Sequence, residues 1–132
     1  MLCNSDRLVM EVKQGEARGF GFTIEHNELV DGTKEYVPMD LTEYSVVFQV
    51  KKSPYFKVEP LIEKIITTEY SETNGHIYDP TLGKFKVSFT EADTTKLPPD
   101  TYYVIIYLIN GTTKIIISGE GDKSGILRFC KQ

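Results

Sequence analysis

A chain of 132 residues with 40% hydrophobic and 26% charged residues has the size and composition of one ordinary globular domain, so we expect a single domain over residues 1–132. Its net charge of -4 and its scattered lysines argue against a nucleic-acid partner and against an anionic membrane surface. No apolar run approaches the roughly 20 residues that cross a bilayer. The first residues lack a basic segment followed by an apolar core, so we expect no signal peptide and a protein made inside a cell.

The two cysteines, Cys3 and Cys130, lie near opposite ends of the sequence and match no zinc-binding spacing. One bridge between them is conceivable, because chain termini often lie close together. Two free thiols in a reducing cytosol is the expectation that we favour.

Apolar and polar residues alternate over much of the chain with a period of two, which is typical of half-buried strands. Residues 83–90 show this most clearly, since Phe85, Val87 and Phe89 share one face. The segment 61–68 fits a helix or a strand by its apolar spacing, and its β-branched pairs favour a strand. The predicted strands are residues 8–13, 18–25, 44–52, 61–68, 76–78, 83–90, 101–109 and 112–118.

The segments between the predicted strands carry turn and capping residues. Residues 26–43 are expected to form one long connection that contains Asp31-Gly32. Thr90 is placed to cap one helical turn, with the carboxylate of Asp93 three residues further on.

Residues 97–119 are the most informative stretch of the sequence. They comprise a proline-stopped turn, a long apolar strand, a reversal at Asn110-Gly111 and a second strand. Asn-Gly between two β-rich runs predicts a type I′ hairpin, because both central residues of that turn need φ > 0. In the tail, residues 119–132, the apolar patch at 126–129 is expected to add an edge strand.

Seven or eight short antiparallel strands without a long helix predict an all-β, immunoglobulin-like, two-sheet β-sandwich. In such sandwiches a tyrosine at the corner before a long strand buries its ring and hydrogen-bonds the backbone through its hydroxyl. Tyr102 is our candidate for this structural corner, because it follows Pro98-Pro99 at the start of the long strand. Residues 1–13 form an N-terminal arm and first strand, expected to be free to pair with a neighbour's edge.

If Tyr102 points inward, the alternate side chains of the same strand point outward. Four apolar side chains then expose roughly a few hundred Å² of surface, near the level at which a patch marks an interaction site. An intramolecular alternative is that the tail at 126–129 or the 53–60 loop covers them. Both interpretations remain open at this point. The candidate interface residues are Tyr103, Ile105, Tyr107 and Ile109.

The motifs that carry chemistry are weak, so we expect no enzyme, no catalytic residue, no cofactor and no metal. His26 and His76 are the two histidines, and no spacing suggests that they converge. No Gly-x-Ser-x-Gly elbow occurs, and the glycines of residues 15–21 lack phosphate-loop spacing. The two carboxylates of residues 119–122 are fewer oxygen ligands than calcium needs.

Several short sequence motifs of this chain occur together in one known protein family. They are Phe-x-Phe-x-Ile at 20–24, MDLTEYSVVFQVK at 39–51, GKFKV at 83–87, FTEADT at 89–94, LPPDTYY at 97–103 and ISG at 117–119. In this combination the chain resembles the immunoglobulin-like N-terminal domain of phage baseplate upper proteins and related modules of phage head and tail proteins. The resemblance covers residues 18–119. It implies an immunoglobulin-like fold and no catalysis, cofactor or metal, and it departs at Asp100, where family members carry glycine.

The resemblance predicts a phage virion structural protein that is assembled in the host bacterial cytoplasm. Its expected partners are other virion proteins of the capsid or tail, which it binds in multiple copies, and not nucleic acid or a membrane. Because the sequence ends at Gln132, we expect a small auxiliary, decoration or attachment protein. The alternatives are a baseplate component or a carbohydrate-binding, adhesive module on the virion surface. A small hydrolase ranks last, for lack of a nucleophile–base pair.

Overall fold

The computed structural model describes residues 9–13, 15–53, 58–98, 100–118 and 125–130. In these ranges the chain consists mostly of strands, with one α-helix, α1 (Glu91–Lys96), and one 3-10 turn (Pro80–Leu82). The all-β class is therefore confirmed, although the eleven described strands exceed the expected seven or eight. The strands are β1 (Val9–Lys13), β2 (Arg18–Thr23), β3 (Glu25–Val30), β4 (Thr33–Pro38), β5 (Ser45–Lys51), β6 (Ile62–Ile66), β7 (Gly75–Asp79), β8 (Lys84–Phe89), β9 (Asp100–Asn110), β10 (Thr113–Ser118) and β11 (Gly125–Cys130).

Two sheets form the body of the protein, and a hairpin forms a third sheet. The larger sheet has the strand order β1-β11-β9-β5-β6, and β10 also pairs with β9. The smaller sheet has the order β2-β8-β7, and the hairpin consists of β3 and β4. The described strands pair antiparallel except for β1, which runs parallel to β11.

The hydrophobic core lies between the larger and the smaller sheet. The ring of Phe48 on β5 lies 5.8 Å from that of Phe89 on β8 and 6.0 Å from that of Phe22 on β2, measured between centroids. Phe85 and Val87 on β8 are 0% exposed, so the predicted inward face of this strand is confirmed. Burial of each such side chain stabilises the fold by roughly 1.5–3 kcal/mol, so facing aromatic rings account for much of the cohesion between the sheets.

The predicted long connection over residues 26–43 is wrong, because most of it forms the β3–β4 hairpin. Asp31 and Gly32 have φ values of 50° and 80°, the positive pair that a type I′ turn requires. The hairpin strands are largely polar, and Leu29 is 75% exposed. The side chains that the structure describes on β3 and β4 are exposed, apart from the half-buried Val37. Such strands show little alternation of polar and apolar residues, which is why the pattern did not predict them.

The expectation of a free N-terminal arm is wrong for residues 9–13. This segment is β1 and pairs with β11 of the same chain, with Val9 opposite Ile126. The tail strand expected at 126–129 is present as β11, which also pairs with β9. Residues 1–8 and 119–124 lie outside the described residues.

Two local predictions from side-chain pattern are confirmed. The hydroxyl oxygen of Thr90 accepts a hydrogen bond from the Asp93 amide (3.1 Å), and the Asp93 carboxylate accepts one from the Thr90 amide (2.8 Å), so both cap α1. Within 61–68, the segment Ile62–Ile66 is a strand whose side chains alternate between buried and exposed.

Candidate functional site

The start of β9 is held in place by Tyr102. Its side chain is 2% exposed, and its hydroxyl donates a hydrogen bond of 2.7 Å to the carbonyl of Pro98, four residues earlier. The ammonium of Lys52 lies 5.1 Å from the ring centroid, and burial is the main cause that raises the pKa of the hydroxyl. With Tyr102 fixed against the core, the alternation of β9 is fixed as well, so its odd-numbered residues face away from the core.

The outward β9 face, defined as Tyr103, Ile105, Tyr107 and Ile109, is less open than the sequence predicts. Ile105 is 0% exposed, so the expectation of an exposed side chain is wrong at this position. The other three side chains are half-buried.

Ile105 belongs to a covered part of the outward face of the larger sheet. It pairs with Gln49 on β5, which is itself 7% exposed. Val47 and Lys51, which face the same way on β5, are 2% and 1% exposed. Alternation along one strand therefore distinguishes the two faces of the sheet but does not predict that the outward face is exposed.

The sequence left open whether the tail at 126–129 or the 53–60 loop covers the outward β9 face. Residues 126–129 belong to β11, whose backbone pairs with the first half of β9, so the tail is a neighbour within the sheet. Of the 53–60 loop, residues 54–57 lie outside the described residues.

Charged side chains surround Tyr107 at the accessible end of the outward β9 face. The ammonium of Lys114 lies 4.2 Å from the centroid of the tyrosine ring. Burial is the main cause that raises the pKa of the Tyr107 hydroxyl, and the negative charge of Glu63 adds to it. Glu63 also accepts a hydrogen bond of 2.6 Å from Gln49. Protein-binding surfaces are enriched in tyrosine and have a polar rim, although lysine and glutamate are depleted in them.

The residues considered for chemistry are dispersed. His26 lies exposed on β3, and His76 lies on β7 of the smaller sheet. Within the described ranges, no three His, Cys, Asp or Glu side chains come together as metal ligands would. Residues 119–122, Cys3 and the side chain of Cys130 lie outside the described residues.

A depression of about 310 Å³ lies beside the connection from β4 to β5, and its described lining is Asp40, Thr42, Glu43 and Tyr44. The carboxylate of Asp40 accepts hydrogen bonds from the hydroxyl and the amide (2.9 Å) of Thr42, which lower its pKa. That carboxylate therefore serves a local turn.

Sequence reasoning missed a group of exposed rings on the smaller sheet. Tyr70 is 71% exposed and Tyr78 is 52% exposed, and the His76 ring lies between them, 5.8 Å from the first centroid and 6.5 Å from the second. Alternation from His76 to Tyr78 would have placed these two on one face, but Tyr70 joins them through the turn that precedes β7.

No protein-family model matches this chain, and no curated protein matches its sequence. In the described part of the chain, no helix is long and apolar enough to cross a membrane.

Proposed function

We propose that this chain is a non-enzymatic structural protein of a phage virion. In this proposal it is a small auxiliary, decoration or attachment protein, present in multiple copies, that binds capsid or tail proteins through protein–protein contacts. We further propose that its two packed sheets form an immunoglobulin-like sandwich. The sequence resemblance to the phage baseplate module supports the proposal, and two features of the fold add to it.

The strand order is the first supporting feature. Along the chain, β2, β5, β6, β7, β8, β9 and β10 correspond in order to the immunoglobulin strands B, C, C′, D, E, F and G. The smaller sheet then has the order B-E-D, and the larger sheet contains G-F-C-C′, as in variable-type domains. The β3–β4 hairpin is an insertion between B and C.

The Tyr102–Pro98 hydrogen bond is the second feature, and the observation that carries the proposal. An immunoglobulin-like tyrosine corner lies near the start of strand F and bonds the backbone a few residues upstream. Tyr102 lies near the start of β9, the strand in the F position, and its hydroxyl bonds the carbonyl four residues earlier. The strand order and this hydrogen bond thus support the same immunoglobulin-like arrangement.

The accessible part of the outward β9 face is the contact surface that we propose. Tyr107 and Ile109 are half-buried, and Ile65 on the neighbouring β6, 48% exposed, extends the apolar surface across β5. Tyrosine is enriched where protein interfaces concentrate their binding energy, since it adds a large ring at little cost in conformational entropy. Ile105 lies on the same face of β9 but is fully buried, so it is not itself a contact residue.

The test is the change Tyr107→Asp, introduced into the phage that encodes the chain. A charge at the centre of a protein interface typically lowers affinity by more than about 1.4 kcal/mol, so we expect the copy number per purified particle to fall at least about tenfold. Copies are counted by quantitative mass spectrometry of purified particles, and circular dichroism checks that the variant is folded.

Tyr70→Asp is the matched control, because it makes the same change at a tyrosine that is 71% exposed and lies beside the other sheet. It should be incorporated as the wild type is. A folded Tyr107→Asp protein present at the wild-type copy number would refute the proposed contact surface, and absence of the wild-type chain from particles would refute the function.

A further inference from the structure

The edge of the smaller sheet at β2 is open among the described strands. β2 pairs with β8 on one side, and none of the described strands pairs with it on the other. Gly19, Gly21 and Thr23 are exposed, and a Cβ atom added at Gly21 would meet nothing within 4 Å beyond its chain neighbours. We call this segment, residues 18–23, the β2 edge. An open edge presents unpaired backbone N–H and C=O groups, so the ligand that complements it is another strand.

The hydrogen-bond pattern identifies the residues whose backbone faces the open side. The amide of Ser88 on β8 donates a hydrogen bond of 3.0 Å to the carbonyl of Asn74, on the β7 side, so Ser88 does not bond its register partner Gly19. Further along β2, the Ile24 amide donates a hydrogen bond of 2.9 Å to the Gly83 carbonyl, on the β8 side. Backbone groups point to alternate sides along a strand. The residues whose backbone groups face the open side are therefore Gly19, Gly21 and Thr23.

Part of the hydrophobic core is also open along the β2 edge. Phe20 and Phe22 pack against the core but are only half-buried. Phe85 and Phe89, on the central strand β8 of the same sheet, are 0% and 2% exposed. An added strand would cover the two half-buried rings if it placed apolar side chains on its core face. Strand addition would therefore stabilise this edge through both backbone hydrogen bonds and apolar burial.

Three other edges have features that discourage strand addition. On β6 the carbonyl of Ile65 accepts a hydrogen bond of 3.4 Å from the Asn74 side chain. On β7 the amide of Ile77 donates a hydrogen bond of 2.7 Å to the Thr67 carbonyl. β10 carries Lys114 and a register shift near its end, and charges and bulges both oppose edge pairing. The middle of β2 has neither a charge nor a register shift.

The sequence of β2 is self-complementary in the antiparallel direction. A two-fold axis at Gly21 places this residue opposite Gly21 of a second copy, and Gly19 opposite Thr23. These are the residues whose backbone groups face the open side, so the joint forms about six hydrogen bonds, two for each pair. Between them Phe20 lies opposite Phe22 on the core face, and aromatic pairs across two strands are favourable.

The charges at the ends of the joint fit the same register. Arg18, whose guanidinium lies 5.1 Å from the Phe20 ring centroid, comes opposite Ile24 of the second copy. Glu25 follows Ile24 in the sequence, so a charge of opposite sign lies one residue from Arg18 at both ends. Like charges directly opposite one another would be unfavourable, and this register avoids them.

We propose that the β2 edge pairs antiparallel with the β2 edge of a second copy of this chain. The dimer then has one continuous sheet with the order β7-β8-β2-β2-β8-β7. A second copy fits better than an unrelated strand, because one two-fold operation pairs the free backbone groups and covers the half-buried rings of both copies. The joint consists of two short strands, so its dissociation constant is on the order of 100 µM.

The test measures amide hydrogen exchange of the intact chain by NMR at increasing concentration, with a thiol reductant present so that the cysteines stay reduced. In the dimer the amides of Gly19, Gly21 and Thr23 are hydrogen-bonded, so their protection should rise about fourfold between about 10 µM and about 1 mM. The amides of Phe20 and Phe22 bond β8 in either state and should change little. Sedimentation velocity over the same range measures the fraction of dimer.

Charged variants at the two-fold axis test the register. Gly21→Glu and Gly21→Lys each place like charges opposite one another, so each should weaken dimerisation at least about fivefold. An equimolar mixture of the two should form a heterodimer at least about fivefold tighter than either homodimer. Circular dichroism checks that both variants are folded, as the open space at Gly21 predicts. Tyr78→Glu is the matched control, because it adds a charge at the opposite edge of the same sheet and should dimerise as the wild type does.

Three results would overturn the proposal. The first is a monomer at about 1 mM, or a dimer without the alternating protection along β2. The second is full protection of the Gly19 and Gly21 amides at the lowest concentration, because the chain would then cover its own β2 edge. The third is a dimer that Gly21→Glu leaves unchanged, or a mixture no tighter than either variant alone. Because the particle-incorporation test concerns Tyr107 on the larger sheet, either proposal can fail while the other stands.

Discussion

The ion pair between Lys64 and Asp93 allows the sharpest test of how this sandwich is held together. Lys64 lies on the inward face of β6, and its ammonium donates hydrogen bonds of 2.6 Å to the Asp93 carboxylate and 2.6 Å to the Thr73 carbonyl. The two charged side chains are 6% and 21% exposed, respectively. The Phe89 ring centroid lies 6.0 Å from the ammonium. The pair therefore joins the edge of the larger sheet to the cap of α1.

Three variants separate the contributions at this pair. Removing one partner of a buried pair typically costs about 3–5 kcal/mol, and we expect values at or below the lower end because Asp93 keeps some contact with water. Asp93→Ala also removes the α1 cap, worth about 1 kcal/mol, so it should lower the free energy of unfolding by about 3 kcal/mol. Asp93→Asn keeps a capping oxygen and should lose about 2 kcal/mol. Lys64→Met removes the buried charge and leaves an Asp93 carboxylate that keeps the Thr90 amide as a donor and some contact with water, so it should lose about 1 kcal/mol.

The pH dependence follows from the same pair. Burial raises the pKa of Asp93, but hydrogen bonds from Lys64 and the Thr90 amide outweigh burial and hold the pKa below its ordinary 3.8. Because the folded-state pKa is lowered, the stabilisation is present above the unfolded-state value and is lost as the pH falls through the folded-state value. The stability difference between the wild type and Asp93→Asn should therefore shrink below about pH 4.

Urea unfolding, followed by circular dichroism at pH 7 and at several acidic pH values, measures these differences. The expected order of destabilisation is Asp93→Ala, then Asp93→Asn, then Lys64→Met. If Lys64→Met were the least stable of the three, or if Asp93→Asn matched the wild type at pH 7, the buried ammonium would not depend on Asp93 and the reasoning would be refuted.

Two further predictions concern local geometry. Tyr102→Phe removes the hydrogen bond to Pro98 and leaves the ring buried, so urea unfolding should show a loss of about 1 kcal/mol in a folded protein; an unchanged midpoint would mean that this bond adds no stability. Gly75 has a φ of 121°, and a Cβ there would collide with the Lys86 carbonyl, so Gly75→Ala should lose more than about 2 kcal/mol. Gly21→Ala is its matched control and should change stability by less than about 0.5 kcal/mol, since a Cβ at Gly21 meets open space; equal thermal midpoints for the two variants would contradict the collision.

The strands and the cap were predictable because their causes are local. In β8 the alternation of Phe85 and Val87 with lysines reflects one buried face, and at α1 the Thr90–Asp93 spacing alone is enough for reciprocal capping. For β6, β-branched residues favoured a strand over a helix, and the structure agrees.

What could not be predicted depends on contacts between distant segments. The pairing of β1 with β11 joins the two ends of the described chain, and no local pattern specifies it. Ile105 is buried together with Val47 and Lys51, which face the same way on β5, and no local pattern specifies that this face is covered. The inward position of Lys64 depends on a carboxylate from α1. The β3–β4 hairpin is different. Its Asp31-Gly32 turn was recognisable in the sequence, but the polar residues on either side lacked the alternation that predicts strands, so no hairpin was predicted.

The parallel pairing of β1 with β11 has a consequence for the timing of folding during synthesis. β1 is made first among the described strands, yet its partner in the larger sheet is made last. Until the ribosome has released residues 125–130, the backbone of residues 9–13 has no native strand to join, so the larger sheet closes late. A nascent chain of this protein therefore passes through a stage in which the strands of the sandwich core have been synthesised but β1 is still unpaired.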